Sequence, residues 1–280
     1  MNEVTISKKL FGAEIDFVIY GASEEAAKKI VEEVYNEALR LQKIFNVYDP
    51  ESELSKLNRL RKNKVSEELL SVIKKALEFS KLTKGSYDIT LGNFILLRKQ
   101  GKSIVPTCSY KDVLIKDNEI SLMHPDVSID LGSIAKGYIT DKLAELLREK
   151  GIEEFLIDAR GDICIKGKQT HVLGIQNPRG EGSICTMKLQ NQSVATSGDY
   201  NQYVENFEKS HILNQKETIS ITVVAPSLEE ADVYATALFT CDDVKQKKLL
   251  DANKDVKVLI IKKGNTLEMF NNFENIVYET

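Results

Sequence analysis

Asp130-Leu131-Gly132-Ser133-Ile134-Ala135-Lys136-Gly137 is the stretch around which the rest of the chain is organised. It is rich in small residues and opens a helix predicted over 134–150. Ile134, Tyr138, Leu143, Leu146 and Leu147 recur at helical spacing and make one face apolar. Gly151 stands where a left-handed C-terminal cap belongs. The glycines at the start let backbone approach a ligand with no Cβ in the way. A helix N-terminus also offers unpaired N–H groups and a partial positive charge to an anion. The same eight residues hold one acid, Asp130, and one base, Lys136. On their own they equally describe an ordinary turn into a helix.

Upstream, residues 12–20 alternate, with Ile15, Phe17 and Ile19 on one face, and are expected to form a strand. Ser23 then N-caps a helix whose first turn carries Glu24 and Glu25, where negative charge is favoured. Ala27, Ile30, Val31, Val34, Ala38, Leu41 and Phe45 form its buried stripe. Residues 46–58, broken by Pro50, are expected to be a loop, and a second helix starts at Ser66. Residues 92–127 show weak periodicity and read as short strands and loops.

Downstream, Phe155-Leu156-Ile157-Asp158-Ala159 is a buried-strand run leading into Arg160-Gly161-Asp162. Asp162 reads either as a turn aspartate or as a group that orients a site. Residues 193–200 are small and hydroxylated, as a tight crossing near a ligand requires. Ser227-Leu228-Glu229-Glu230 is a capping box opening another helix. On that helix Asp232 and Thr236 lie four apart and share a face. Residues 256–261 and the Lys263-Gly264-Asn265 turn form a closing hairpin.

The 280 residues give ample chain for a core, and hydrophobic and charged contents of 42% and 29% are those of an ordinary globular protein. A formal net charge of −4 argues against nucleic acid as the main partner. No run approaches the roughly 20 apolar residues that span a bilayer. Cys108, Cys164, Cys185 and Cys241 are scattered, which gives neither a zinc site nor a disulfide framework. A cytoplasmic location is the direct expectation.

Extended to Ser128-Ile129-Asp130-Leu131-Gly132-Ser133-Ile134-Ala135-Lys136-Gly137-Tyr138, the opening stretch resembles the signature of the ApbE family, the FAD:protein FMN transferases. Three further blocks agree in the same order. They are Tyr48-Asp49-Pro50-Glu51-Ser52-Glu53-Leu54-Ser55-Lys56-Leu57-Asn58, Ser193-Val194-Ala195-Thr196-Ser197-Gly198-Asp199-Tyr200 and Ala231-Asp232-Val233-Tyr234-Ala235-Thr236-Ala237-Leu238. Gly85-Ser86-Tyr87-Asp88-Ile89-Thr90 resembles the family's Gly-x-Phe-Asp-x-Thr element. Ser210-His211-Ile212-Leu213-Asn214 resembles its His-Ile-Ile-Asp-Pro-x-Thr-Gly, but Asn214 and Gln215 replace Asp and Pro, and the Thr-Gly turn is missing.

The resemblance implies Mg²⁺-dependent transfer of FMN from FAD, the substrate, to a threonine or serine hydroxyl of an acceptor protein, releasing AMP. It implies metal ligands at the Asp232 carboxylate, the Thr236 hydroxyl and the Ser133 backbone carbonyl. It implies flavin contacts at Tyr48, Ser86, Tyr87, Asp88, Asp130, Lys136 and Leu213. His211 is the candidate general base, since an unperturbed imidazole pKa near 6.5 suits proton removal from a hydroxyl at neutral pH. Two alternatives stay open: hydrolysis of FAD to FMN and AMP, or a flavin-binding protein without catalysis. The implied fold is α+β, one catalytic unit over 1–280 with mixed or antiparallel sheets, packed helices and an FAD cleft between subregions. Many relatives are exported or lipid-anchored, so an exported form with its leader removed is the alternative location.

Overall fold

The computed structural model describes residues 2–102, 104–199 and 217–279. Strands and helices are numbered in chain order. The main sheet is antiparallel throughout, in the order β1 (Glu3–Leu10), β2 (Ala13–Tyr20), β6 (Phe155–Ala159), β7 (Asp162–Lys166), β10 (Ser193–Gly198), β11 (Thr218–Ala225), β12 (Lys257–Lys262), β13 (Thr266–Phe270). A second sheet joins β8 (His171–Gln176), β9 (Ser183–Leu189) and β14 (Val277–Glu279), and a third joins β3 (Lys62–Lys64), β4 (Val113–Lys116) and β5 (Glu119–Leu122). The helices are α1 (Glu24–Phe45), α2 (Glu53–Leu60), α3 (Glu67–Leu82), α4 (Gly92–Lys99), α5 (Ala135–Glu149), α6 (Leu228–Thr240) and α7 (Asp243–Ala252). The α+β class expected from the sequence is the class observed.

The main sheet is covered on both faces, and its side chains sort by parity, as the two-residue period of a strand requires. On β11 and β12, Ile221, Val223, Val258 and Ile260 face the helices. Val224, Leu259 and Ile261 face the opposite way, onto Ile175, Cys185, Met187 and Phe273 of the second sheet and its approach. All eight β11 residues are buried, which is why that strand shows no polar alternation.

Three helix starts follow from local chemistry. The side chains of Ser23, Ser66 and Ser227 accept from the N–H of Ala26, Leu69 and Glu230 respectively, each satisfying a donor that the first turn leaves unpaired. Gly151 has φ +82, the left-handed conformation expected just past α5. Two expectations are corrected. The 46–58 loop contains the start of α2, capped by the Ser52 side chain, and 92–127 contains α4 besides β4 and β5. Both helices are eight residues long, about two turns, too short to be stable in isolation.

Candidate active site

The segment 130–137 runs along the base of the site, and each end meets a different environment. It is held first by α2. The Asn58 side chain clasps Ile129, accepting its N–H at 2.8 Å and donating to its carbonyl at 2.9 Å. The Asp130 N–H then donates to the Ile89 carbonyl at 2.9 Å, and Asp130 Oδ1 accepts the Gly132 N–H at 2.8 Å, closing a tight turn.

At the Asp130 end lies a cavity of about 450 Å³, lined by Tyr48, Asn58, Arg59, Gly92, Leu96 and Asp130 among others. That is within the range of small-molecule sites. Tyr48 is 75% exposed at its rim, so its ring is open to a ligand rather than packed. The cavity lining stops short of Lys136 and Asp232.

The 85–90 turn supports the middle of the segment. Tyr87 is buried, and its hydroxyl meets Ser133 Oγ at 2.8 Å. Burial holds the Tyr87 phenol above its ordinary pKa. Asp88 braces the turn itself: its carboxylate accepts from the Thr90 N–H at 2.9 Å, the Thr90 hydroxyl at 2.6 Å and the Tyr110 N–H at 2.8 Å. Burial raises its pKa despite those donors. Ser86 Oγ accepts from Lys245 Nζ at 2.6 Å, a contact that nothing in the sequence signals.

At the far end, α5 and α6 cross N-terminus to N-terminus, and each lends the other a carboxylate. Asp141 of α5 accepts the first N–H groups of α6, from Leu228 at 2.9 Å and Glu229 at 2.8 Å. Asp232 of α6 accepts the Gly137 N–H of α5 at 3.2 Å. Both positions favour negative charge, because helix N-termini present unpaired N–H groups. The Gly137 N–H would otherwise be placed to close a turn onto the carbonyl of residue 133. Its use by Asp232 leaves the Ser133 carbonyl without that partner. A Cβ on Gly137 would lie 2.5 Å from the Leu228 carbonyl oxygen and 2.6 Å from Glu229 Cα, so this crossing requires glycine.

The helix-facing side of the main sheet completes the cluster. Lys136 Nζ is paired with Asp162 of β7. Ser197 Oγ of β10 meets Thr236 Oγ1 of α6 at 3.0 Å. Asp232 is buried, and burial pushes its pKa up to about 7, against the pull of the Lys136 ammonium and with a further push from Asp162. Burial disfavours the Lys136 ammonium, but the Asp162 and Asp232 carboxylates outweigh it and hold its pKa above the ordinary lysine value.

The structure therefore gathers Asp232, Thr236, Lys136 and Ser133 around the two helix starts. Tyr48 and Asp130 lie together at the cavity, and Ser86, Tyr87 and Asp88 line the turn between. His211 and Leu213 lie outside the described residues. Asp232 and Thr236 supply a carboxylate and a hydroxyl, and Ser133 can add a carbonyl, an all-oxygen set that fits a hard divalent cation. Among the described residues no three His, Cys, Asp or Glu side chains gather as a metal cluster. Mg²⁺ needs none, since it keeps several waters and takes one or two carboxylates. Asp141 belongs to none of the motifs read from the sequence. Its only sequence signal is an acid three residues after Tyr138 and seven after Ile134, among apolar positions of the predicted helix.

The chain is similar to known proteins over most of its length. A FAD:protein FMN transferase of Vibrio cholerae is 28% identical over 249 residues, spanning 78% of this chain and 75% of its own. One from Haemophilus influenzae is 26% identical over 302 residues, spanning 94% and 87%. The crystal structure of the ApbE protein from Thermotoga maritima superposes with a TM-score of 0.85 at 27% identity, covering 99% of this chain and 100% of that one. The sequence model of the ApbE family matches residues 11–260, and the chain belongs to that family.

Proposed function

We propose that this chain transfers FMN from FAD to a threonine or serine hydroxyl of an acceptor protein, with Mg²⁺ bound at Asp232, Thr236 and the Ser133 carbonyl. The acceptor oxygen forms a bond to the FMN phosphorus, the pyrophosphate P–O bond breaks, and AMP leaves. His211 takes the proton of the hydroxyl. The names of the relatives support the reaction class. One observation supports the site: a buried carboxylate, Asp232, accepts the Gly137 N–H at 3.2 Å where two helices start, near the Lys136 ammonium, and burial holds its pKa above the ordinary carboxylate value. A divalent cation there would neutralise that carboxylate and the phosphate charge that develops on the leaving AMP.

The chain's own residues divide the remaining work. The Lys136 ammonium and the N–H groups at the α5 start suit the pyrophosphate. The cavity at Tyr48 and Asp130 suits one aromatic half of FAD, with the exposed Tyr48 ring available for stacking. Asn214 and Gln215, which depart from the family pattern beside His211, favour one second reading, in which water replaces the acceptor hydroxyl.

The test is incubation of the purified protein with FAD and a candidate acceptor, with and without Mg²⁺, following AMP and acceptor mass together. Mg²⁺-dependent AMP release with an FMN adduct on the acceptor supports transfer. Mg²⁺-dependent AMP release in the absence of any acceptor supports the hydrolase. FAD bound and unchanged under every condition refutes both.

A further inference from the structure

Strands β7 and β10 pair at two positions, Ser193 with Cys164 and Val194 with Ile163. Beyond them the Thr196 N–H of β10 donates to Asp162 Oδ1 at 3.1 Å, so a side-chain carboxylate replaces a ladder carbonyl where the strands part. The other oxygen, Oδ2, holds Lys136 Nζ. Asp162 is 5% exposed, and it is anchored to backbone at one oxygen while it fixes a cation with the other. The carboxylates acting most strongly on Lys136 are Asp162 and Asp232. Among the described residues the ion pair of its ammonium is with Asp162, and Asp232 acts on it from further away.

We propose that Asp162 is a positioning residue that keeps Lys136 away from Asp232, so that the Asp232 carboxylate stays open to a divalent cation. This rests on the reading of Asp232 as a cation ligand. Asp162 touches neither cation nor flavin in this scheme; it acts through Lys136. Without it, the ammonium turns to the remaining carboxylate, and an internal Lys136–Asp232 pair competes with the cation. A purely structural ion pair between α5 and the sheet would have no such consequence.

The experiment is a titration of the full chain with Mn²⁺ in the absence of flavin, following free Mn²⁺ by electron paramagnetic resonance. The variants are D162N, K136M, D162N/K136M and D232N, with thermal unfolding of each as a control. Asparagine at 162 retains a carbonyl oxygen for the Thr196 N–H, so the sheet contact can survive. D162N should weaken Mn²⁺ binding about tenfold or more, the scale of outer-shell effects on metal sites. K136M should bind at least as tightly as wild type. The double variant should recover the affinity of K136M, because the competing ammonium is gone.

Unchanged affinity in D162N overturns the proposal. So does a double variant as weak as D162N, which would mark a structural defect. Should D162N fail to fold, weaker binding by K136M refutes the competition directly. Wild type and D232N binding Mn²⁺ equally would overturn the ligand assignment of Asp232, and this proposal with it, a result distinct from the others.

Discussion

Replacing Gly137 with alanine introduces a methyl group at the closest point of the α5–α6 crossing. The new Cβ would stand 2.5 Å from the Leu228 carbonyl oxygen, 2.6 Å from Glu229 Cα and 2.7 Å from Glu229 N. All three are backbone atoms, so no side-chain rotation relieves the contact. Reaching ordinary contact at 3.4 Å from 2.5 Å requires the helix starts to separate by about 0.9 Å. That movement also stretches the Asp141 bonds to Leu228 and Glu229, now 2.9 and 2.8 Å. Overpacking of this kind costs about 1–3 kcal/mol. The better helix propensity of alanine returns at most about 1 kcal/mol, and less in a first turn. A net loss of about 1–2 kcal/mol corresponds to roughly 2–4 °C in Tm for a chain of 280 residues. Because Asp232 accepts the Gly137 N–H at this same crossing, Mn²⁺ affinity should fall together with Tm. Calorimetry and Mn²⁺ titration read the two effects. A G137A protein with wild-type Tm and wild-type Mn²⁺ affinity would refute the argument that this glycine sets the site geometry.

Two other outcomes follow from the same site. Asp232 has a folded pKa of about 7, above the unfolded value near 3.9, so between them the folded state binds more protons than the unfolded chain and stability falls as pH rises. In a chelator, Tm should drop from about pH 5 to about pH 8, and D232N should flatten that part of the profile; a D232N profile parallel to wild type would assign the effect to another group. His211→Ala should bind FAD as wild type does, measured by flavin fluorescence quenching, while losing acceptor flavinylation; wild-type flavinylation would remove His211 from the proposed mechanism.

The candidate residues were legible as short blocks read together and in order, since each block alone describes an ordinary helix or turn. Asp232 and Thr236 are four apart on a helix that announces itself with Ser227, and Lys136 sits in a glycine-rich helix start. Illegible were the partners across the fold. Gly137 and Asp232 are 95 positions apart, Asp141 and Leu228 87, and Asn58 and Ile129 71. No periodicity or propensity reports contacts at such separations. Asp162 stayed ambiguous for the same reason: a turn aspartate after β6 and a carboxylate holding Lys136 have the same sequence. The short helices α2 and α4 were missed because helices of eight residues are marginal on their own, so that packing decides whether they form.

Local sequence is enough for whatever depends on interactions within about four residues. It set the serine caps of α1, α3 and α6, the left-handed Gly151, the alternation of β2 and the family motifs in their order. The packing of distant segments sets which acid holds Lys136, which N–H Asp232 accepts and why the pKa of that carboxylate is raised. The physical reason is that a charge is tuned by what excludes water from it and by which other charges approach it. Both are set by the meeting of α5, α6, β7 and β10, whose residues are far apart along the chain.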